Sequence, residues 1–378
     1  MFKYFPILTV ILFSGCADQQ NCYSLKKVKD LQLNFEVNIN DISNISYYIN
    51  KGNNYITYVN IPGHSINFKN INTDSIDCKI SLSRLDSIQN TEEEIACFIE
   101  NKDSIFTMLN EKNVIYLIDG NGIIKSQWNV NKELENNNKN YVLQDIQSMK
   151  LFYKNSNIYI QSIRNDIVVN TPENKKIYFN TPAEVTINIA RMPCTITNKT
   201  GYWPGIYKTG LGYEDFWPAR CVNNKNELIY SFGINDSLFI YQDNKLTLTV
   251  EAKTRYKQTI NPYPSDSNAH FSFLKKYNTT ESRYKFIFFN PYKNEYYRVF
   301  SKGEEIINND GTKIHPWSLI VLDSDFKVIN ETVFNSNEYN FFSILPVEDG
   351  VMICKSSEPS DSKNILRYTL FRTVADEK

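Results

Sequence analysis

Three histidines and seven cysteines are the side chains in this sequence best suited to metal or nucleophilic chemistry. His64 follows an Ile-Pro-Gly turn, His270 precedes a strand-like run, and His315 sits in Lys-Ile-His-Pro-Trp. They are scattered, form no HExxH pair, and no cysteines stand as CxxC, so neither a metal nor a cofactor is expected. There is no GxSxG turn to raise a nucleophilic serine. "GLG" at 210–212 lacks the Lys-Ser/Thr that a phosphate loop needs. "DGNG" (119–122) and "DSD" (323–325) resemble calcium loops, but such a loop needs more oxygen ligands at alternate positions. They read as hairpin turns, where Asp-Gly and Asn-Gly supply positive φ. Carboxylates are plentiful, yet no spacing selects a pair for glycoside hydrolysis.

Recognition chemistry is concentrated in one place, "GYWPGIYKTGLGYEDFWPAR" at 201–220. Tyr202, Trp203, Tyr207, Tyr213 and Trp217 stand beside Arg220 there, and Tyr, Trp and Arg dominate binding hot spots. These six are the candidate ligand-binding set. The competing reading is an Ω-loop that folds back over the protein and buries its own rings. Cys194 and Cys221 bracket the stretch and would close it if oxidised. Cys78, Cys97 and Cys354 lie within apolar strand-like runs and read as buried thiols.

The elements that must position these residues are almost all short strands. Alternating Ile, Val, Tyr and Phe run for five to seven residues between Asn, Asp, Gly or Lys turns. The best helix candidate, 131–149, has a poor apolar stripe. The strands also repeat. Residues 104–130 align without a gap on 228–250, setting Ile105 on Ile229, Val114 on Leu238 and Asp119 on Asp243. "SLIVLDSDFKVINETVF" (318–334) repeats the second half of the pattern, and 65–82 is a looser copy.

Repeats of this kind indicate an all-β fold, a β-propeller or an array of sandwiches. One feature favours closure: the C-terminal unit shows three strands, and an unassigned strand at 31–37 supplies a fourth that removes the open edge. Six blades are counted, near 43–82, 94–130, 148–190, 216–252, 268–334 and 341–373 with 31–37. The fifth region is long enough to hold a seventh.

The N-terminus, "MFKYFPILTVILFSGC", has an early Lys, an apolar run too short to span a membrane, and Ser-Gly before Cys16. It resembles a bacterial lipoprotein signal, with Phe13 where Leu is usual. That resemblance implies removal of residues 1–15, acylation of Cys16 as a membrane anchor, and a polar tether over 16–30. Lys+Arg 41 against Asp+Glu 42 gives a net charge of -1, and no basic stripe stands out, so a nucleic-acid partner is not expected.

The lipobox, the length, the blade pattern, "FFNPYKNEYYRVF" (288–300) and "SLIVLDSDFKVINETVF" together are similar to a family of Bacteroidetes lipoproteins, domain of unknown function 4221. The resemblance spans most of 30–375. It implies a six-bladed propeller on an outer-membrane lipoprotein and assigns no catalytic residue. The expectation is a single propeller domain over 31–375. It is anchored to the outer membrane on its periplasmic or cell-surface side and binds a glycan, peptide or protein partner without chemistry. The alternatives are a glycan- or peptide-active enzyme with its site in the channel, or a scaffold subunit. A polar channel with two close carboxylates, or His with a carboxylate, favours the enzyme; an apolar channel favours the binder.

Overall fold

The computed structural model describes residues 23–376 apart from 86–94, 110–111, 137–140, 165, 168–170, 198–199, 210–216, 257–259, 263–276, 278, 308–310, 312 and 357–362. Short runs of β-branched and aromatic residues form antiparallel strands, and tight turns join them. At Lys51-Gly52, Asn155-Ser156 and Asp243-Asn244 both central residues have positive φ, as the two-residue hairpin turn matched to strand twist requires. Asp119 and Asp323 accept hydrogen bonds from the backbone N–H groups two and four residues on, so "DGNG" and "DSD" are hairpin turns as expected.

The sheets are six blades. From innermost to outermost strand, blade 1 is Ile42–Asn50, Asn53–Asn60, Ser65–Asn70 and Ile76–Ser81. Blade 2 is Ile95–Asn101, Ser104–Leu109, Val114–Ile118 and Ile124–Asn129. Blade 4 is Ala219–Val222, Leu228–Ser231, Ser237–Gln242 and Lys245–Glu251. Blade 5 is Arg283–Asn290, Glu295–Ser301, Trp317–Leu322 and Val328–Phe334. In blade 3 the innermost strand is broken into Tyr141–Gln144 and Phe152–Lys154, which both pair with Asn157–Arg164; Glu184–Asn188 and Thr195–Thr197 complete it.

Blade 6 is built from both chain ends. Tyr339–Val347, Gly350–Lys355 and Ile365–Ala375 are covered by Tyr23–Asn34, which pairs antiparallel with the last strand from Tyr23↔Ala375 to Asn34↔Ile365. The expected fourth strand is therefore present, but it starts earlier than the sequence suggests. Residues 23–30, read as tether, are strand. "YSLKKVKD" sits on an outer edge with most of its side chains in solvent, so it carries no apolar alternation to betray it.

The core consists of six hydrophobic clusters, one at each seam between neighbouring blades. The seam between blades 6 and 1 joins Leu345 and Tyr368 to Ile56 and Tyr58, with Leu33 and Phe35 of the N-terminal segment in the same cluster. The extra length of the fifth region holds a two-stranded hairpin, Ile306–Ile307 with Lys313–Ile314, and not a seventh blade. The helix candidate over 131–149 shrinks to Asn131–Asn136 and then turns into strand.

The two faces of the ring differ. Antiparallel order puts every turn between first and second strands, and between third and fourth, on one face. Those turns are short, such as 51–52, 102–103, 155–156 and 348–349. The opposite face carries the connections between second and third strands and between blades. Four of these are long: 165–183, 198–218, 252–282 and 302–316, all in blades 3 to 5.

Candidate ligand site

The aromatic stretch lies on the long-loop face. Helix Pro172–Phe179, started by a Thr171 cap with Pro172 in its first turn, packs beneath the 3-10 turn Gly205–Thr209. Trp203 is buried against Phe179, with ring centroids 4.9 Å apart and nearly perpendicular, and against Tyr207 and Phe232. Tyr207 is fully enclosed, and its hydroxyl accepts a hydrogen bond from the Ile234 N–H. These two rings are core. Tyr202 and Trp217 remain 40% exposed, and Tyr213 lies outside the described residues.

Arg220 is not on the surface beside the rings. Its Nε donates to Glu184 at 2.5 Å, and an Nη donates to the Lys150 carbonyl. Glu184 is completely buried and also accepts from the Tyr230 hydroxyl. Burial disfavours the guanidinium charge, yet Glu184 and Tyr230 more than offset that and hold the Arg220 pKa above its ordinary value. Arg220 belongs to the innermost strand of blade 4, Ala219–Val222, and not to the loop that carries the rings. Cys194 and Cys221 are buried free thiols. Cys16 lies outside the described residues.

The loop rings can therefore be separated by measurement. Trp203→Ala should cost about 3–5 kcal/mol, the usual range for an aromatic core truncation. Trp217→Ala should stay within about 0.5 kcal/mol of the parent, as surface substitutions do. Equal melting of the two variants in thermal denaturation would contradict this division.

A cavity of about 380 Å³ occupies the ring axis and takes wall residues from the innermost strands of all six blades. Tyr47 and Tyr48, Phe98, Phe152, Phe288 and Tyr292 give it an aromatic wall. It reaches the tight-turn face at Pro291 and Tyr292, where the Tyr47 and Tyr292 rings meet edge to face, 5.9 Å between centroids. Within the ring, the break in blade 3 brings in Gln147 and Lys150. Lys150 Nζ donates to the Ile45 carbonyl at 2.7 Å and to Ser46 Oγ at 3.3 Å. Burial pulls its pKa below the usual lysine value, against the attraction of Asp145. Asp145 is tucked behind the wall, accepting from the Leu151 N–H, and burial pushes it up to about 6. Cys97 is pushed up to about 12 by burial, which keeps it a thiol at neutral pH.

Neither a carboxylate nor a histidine is among the described residues that line this cavity. Sequence reasoning passed over the wall. Most of its residues sit in ordinary strands, and the signal that picks them out is position: most belong to the first strand of their blade. Lys150 carried a second clue, a polar "QDIQS" run interrupting an apolar strand.

The sequence matches the family model of DUF4221, a domain of unknown function, over residues 36–333. The fold is similar to the crystal structure of a DUF4221 member from Bacteroides vulgatus, with a TM-score of 0.72 at 19% identity, covering 94% of this chain and 100% of that one. A putative exported protein from Bacteroides fragilis scores 0.47 at 8% identity, over 93% and 96% of the two chains. A catalytically inactive virginiamycin B lyase from Staphylococcus aureus scores 0.42 at 14%, over 92% and 99%. No curated protein matches the sequence.

Proposed function

The chain belongs to the DUF4221 family, and from that premise we propose that it is a lipid-anchored outer-membrane propeller that binds a small ligand in its axial cavity without transforming it. The observation that carries this reading is the cavity itself. Its size falls within the range of small-molecule sites, and such sites are mostly apolar with a few placed polar groups. The wall supplies aromatic rings, the Lys150 amine, the Arg220 guanidinium, the amides of Asn44 and Gln147 and the hydroxyls of Ser46 and Thr57. The amine already donates twice to protein acceptors, and the guanidinium is held by Glu184. A hydrolytic site needs an acid–base pair or an activated nucleophile facing the substrate. The wall offers apolar contact instead. The anchoring half of the proposal is supported by the apolar run that ends in Ser-Gly-Cys16, since acyl chains contribute about 0.8 kcal/mol per buried methylene.

Two measurements test the halves separately. Cys16→Ser should move the protein from the membrane to the soluble fraction; unchanged membrane retention would defeat the anchor. The soluble chain should bind a neutral apolar dye, N-phenyl-1-naphthylamine, saturably and once per molecule. Cys97→Trp, which fills the cavity from blade 2, should abolish that binding while the far-ultraviolet spectrum stays that of a folded propeller. Undiminished dye binding in that variant would place the ligand elsewhere.

A further inference from the structure

We infer that the mouth of the axial cavity faces the membrane that holds the chain, and that its ligand is a single-chain anionic amphiphile taken from that membrane. The inference rests on the anchored, ligand-binding reading above and adds the orientation and the ligand class.

Three independent observations point this way. The first is where the chain enters the ring. Tyr23 pairs with Ala375 at the tight-turn end of blade 6, next to the turn that carries Asp349 and to Glu295 at the start of its strand. Tyr23 is only seven positions after Cys16, a reach of at most about 25 Å at roughly 3.3–3.6 Å per residue. A leash that short, fixed at that end, draws the tight-turn face toward the bilayer. To present the long-loop face, it would have to double back along the whole height of blade 6.

The second observation is that the cavity lining reaches the same face, at the exposed turn residues Pro291 and Tyr292. The third is charge. The turns that join each innermost strand to its neighbour surround the mouth, and four of them expose a lysine: Lys51, Lys102, Lys225 and Lys293. In blade 3 Lys154 stands just before the turn and donates to the Asn226 carbonyl. The acids in this inner ring are Asp103, which lies 4.0 Å from Lys102, Glu227, Glu348 and Asp349, which is paired with Arg372. Glu227 points inward and accepts from the Asn223 amide. Exposed lysine amines around an aromatic shaft give a negatively charged head an ion-pair partner and an apolar tail a lining, and lysines near a bilayer are drawn to anionic lipid.

The test has two arms. In the first, the soluble Cys16→Ser chain is titrated by calorimetry with dodecanoate, dodecanol and dodecyltrimethylammonium. Dodecanoate should bind at least about tenfold more tightly than the cationic chain. Replacing the four exposed rim lysines with Glu should reverse that order while dodecanol binding stays within about twofold, because the shaft is untouched. No preference for dodecanoate in the parent, or the same preference in the Glu variant, overturns the ligand class.

In the second arm, the acylated full chain, with Cys22 and Cys78 replaced by Ser, is reconstituted in vesicles of phosphatidylethanolamine and phosphatidylglycerol. A fluorophore is placed at Lys51→Cys on the tight-turn face or at Ile206→Cys on the long-loop face. Headgroup spin labels should quench the first strongly and the second weakly. Equal quenching, or stronger quenching at position 206, overturns the orientation and leaves the anchor standing. Failure of the chain to join the vesicles overturns the anchor and the orientation together.

Discussion

A chain that begins at residue 35 should not form a stable ring. Residues 23–34 supply the outermost strand of blade 6, and removing them strips the ladder from Ile365–Ala375 along its whole length. Leu33, 1% exposed, leaves the cluster at the seam of blades 6 and 1, and Phe35 loses its covering chain. Full burial of one such side chain stabilises by about 1.5–3 kcal/mol. The lost ladder and the newly open edge add to that, against a net stability of only about 5–15 kcal/mol for a typical domain. The expected outcome is aggregation on expression, since an uncovered edge strand is a template for pairing with another chain. Adding the 23–34 segment back as a peptide should recover soluble protein in proportion to its concentration. A truncated chain that melts at the parent temperature would show that the ring does not depend on its N-terminal strand.

The second large effect is expected at Glu184. This carboxylate is completely buried, holds Arg220 at 2.5 Å and accepts from Tyr230. Glu184→Ala would strand the guanidinium in the wall between blades 3 and 4, and breaking a buried ion pair from one side costs about 3–5 kcal/mol. Replacing both partners, as in Glu184→Met with Arg220→Met, should cost markedly less than Glu184→Ala alone, because no charge is then left without its counterion. Chemical denaturation of the parent, Glu184→Met, Arg220→Met and the double variant, analysed as a thermodynamic cycle, reads the coupling directly. A double variant no more stable than the single one would mean that the pair is not the unit assigned to it. The cavity should also respond, since Arg220 donates to the Lys150 carbonyl and so helps fix the segment that carries Lys150.

The blades were legible because their signal is local. Ile105 and Ile229 occupy equivalent second strands, Val114 and Leu238 equivalent third strands, and Asp119 and Asp243 the turns after them. Helix Pro172–Phe179 carried its own start signal, Thr-Pro-Glu, but it was absorbed into blade 3 because eight polar-rich residues show little apolar face. The binding chemistry was less legible for a physical reason. Burial of Trp203 and Arg220 depends on Phe179, Phe232 and Glu184, which come from other segments, and no spacing within 201–220 encodes those partners. The cavity wall was least legible of all, since it exists only once six distant strands share an axis.

The pairing of the first described strand with the last also sets a clock. Ring closure joins positions more than 330 residues apart, from Asn34↔Ile365 to Tyr23↔Ala375, and contacts of such separation form slowly. Residues 23–34 are synthesised more than 330 residues ahead of their partner strand. Throughout synthesis, then, a twelve-residue strand waits with both edges unpaired. Lys26, Lys27, Lys29 and Asp30 crowd its middle, and charges on an edge strand oppose pairing with the wrong chain. The polarity that disguised this segment as a tether is what lets it wait.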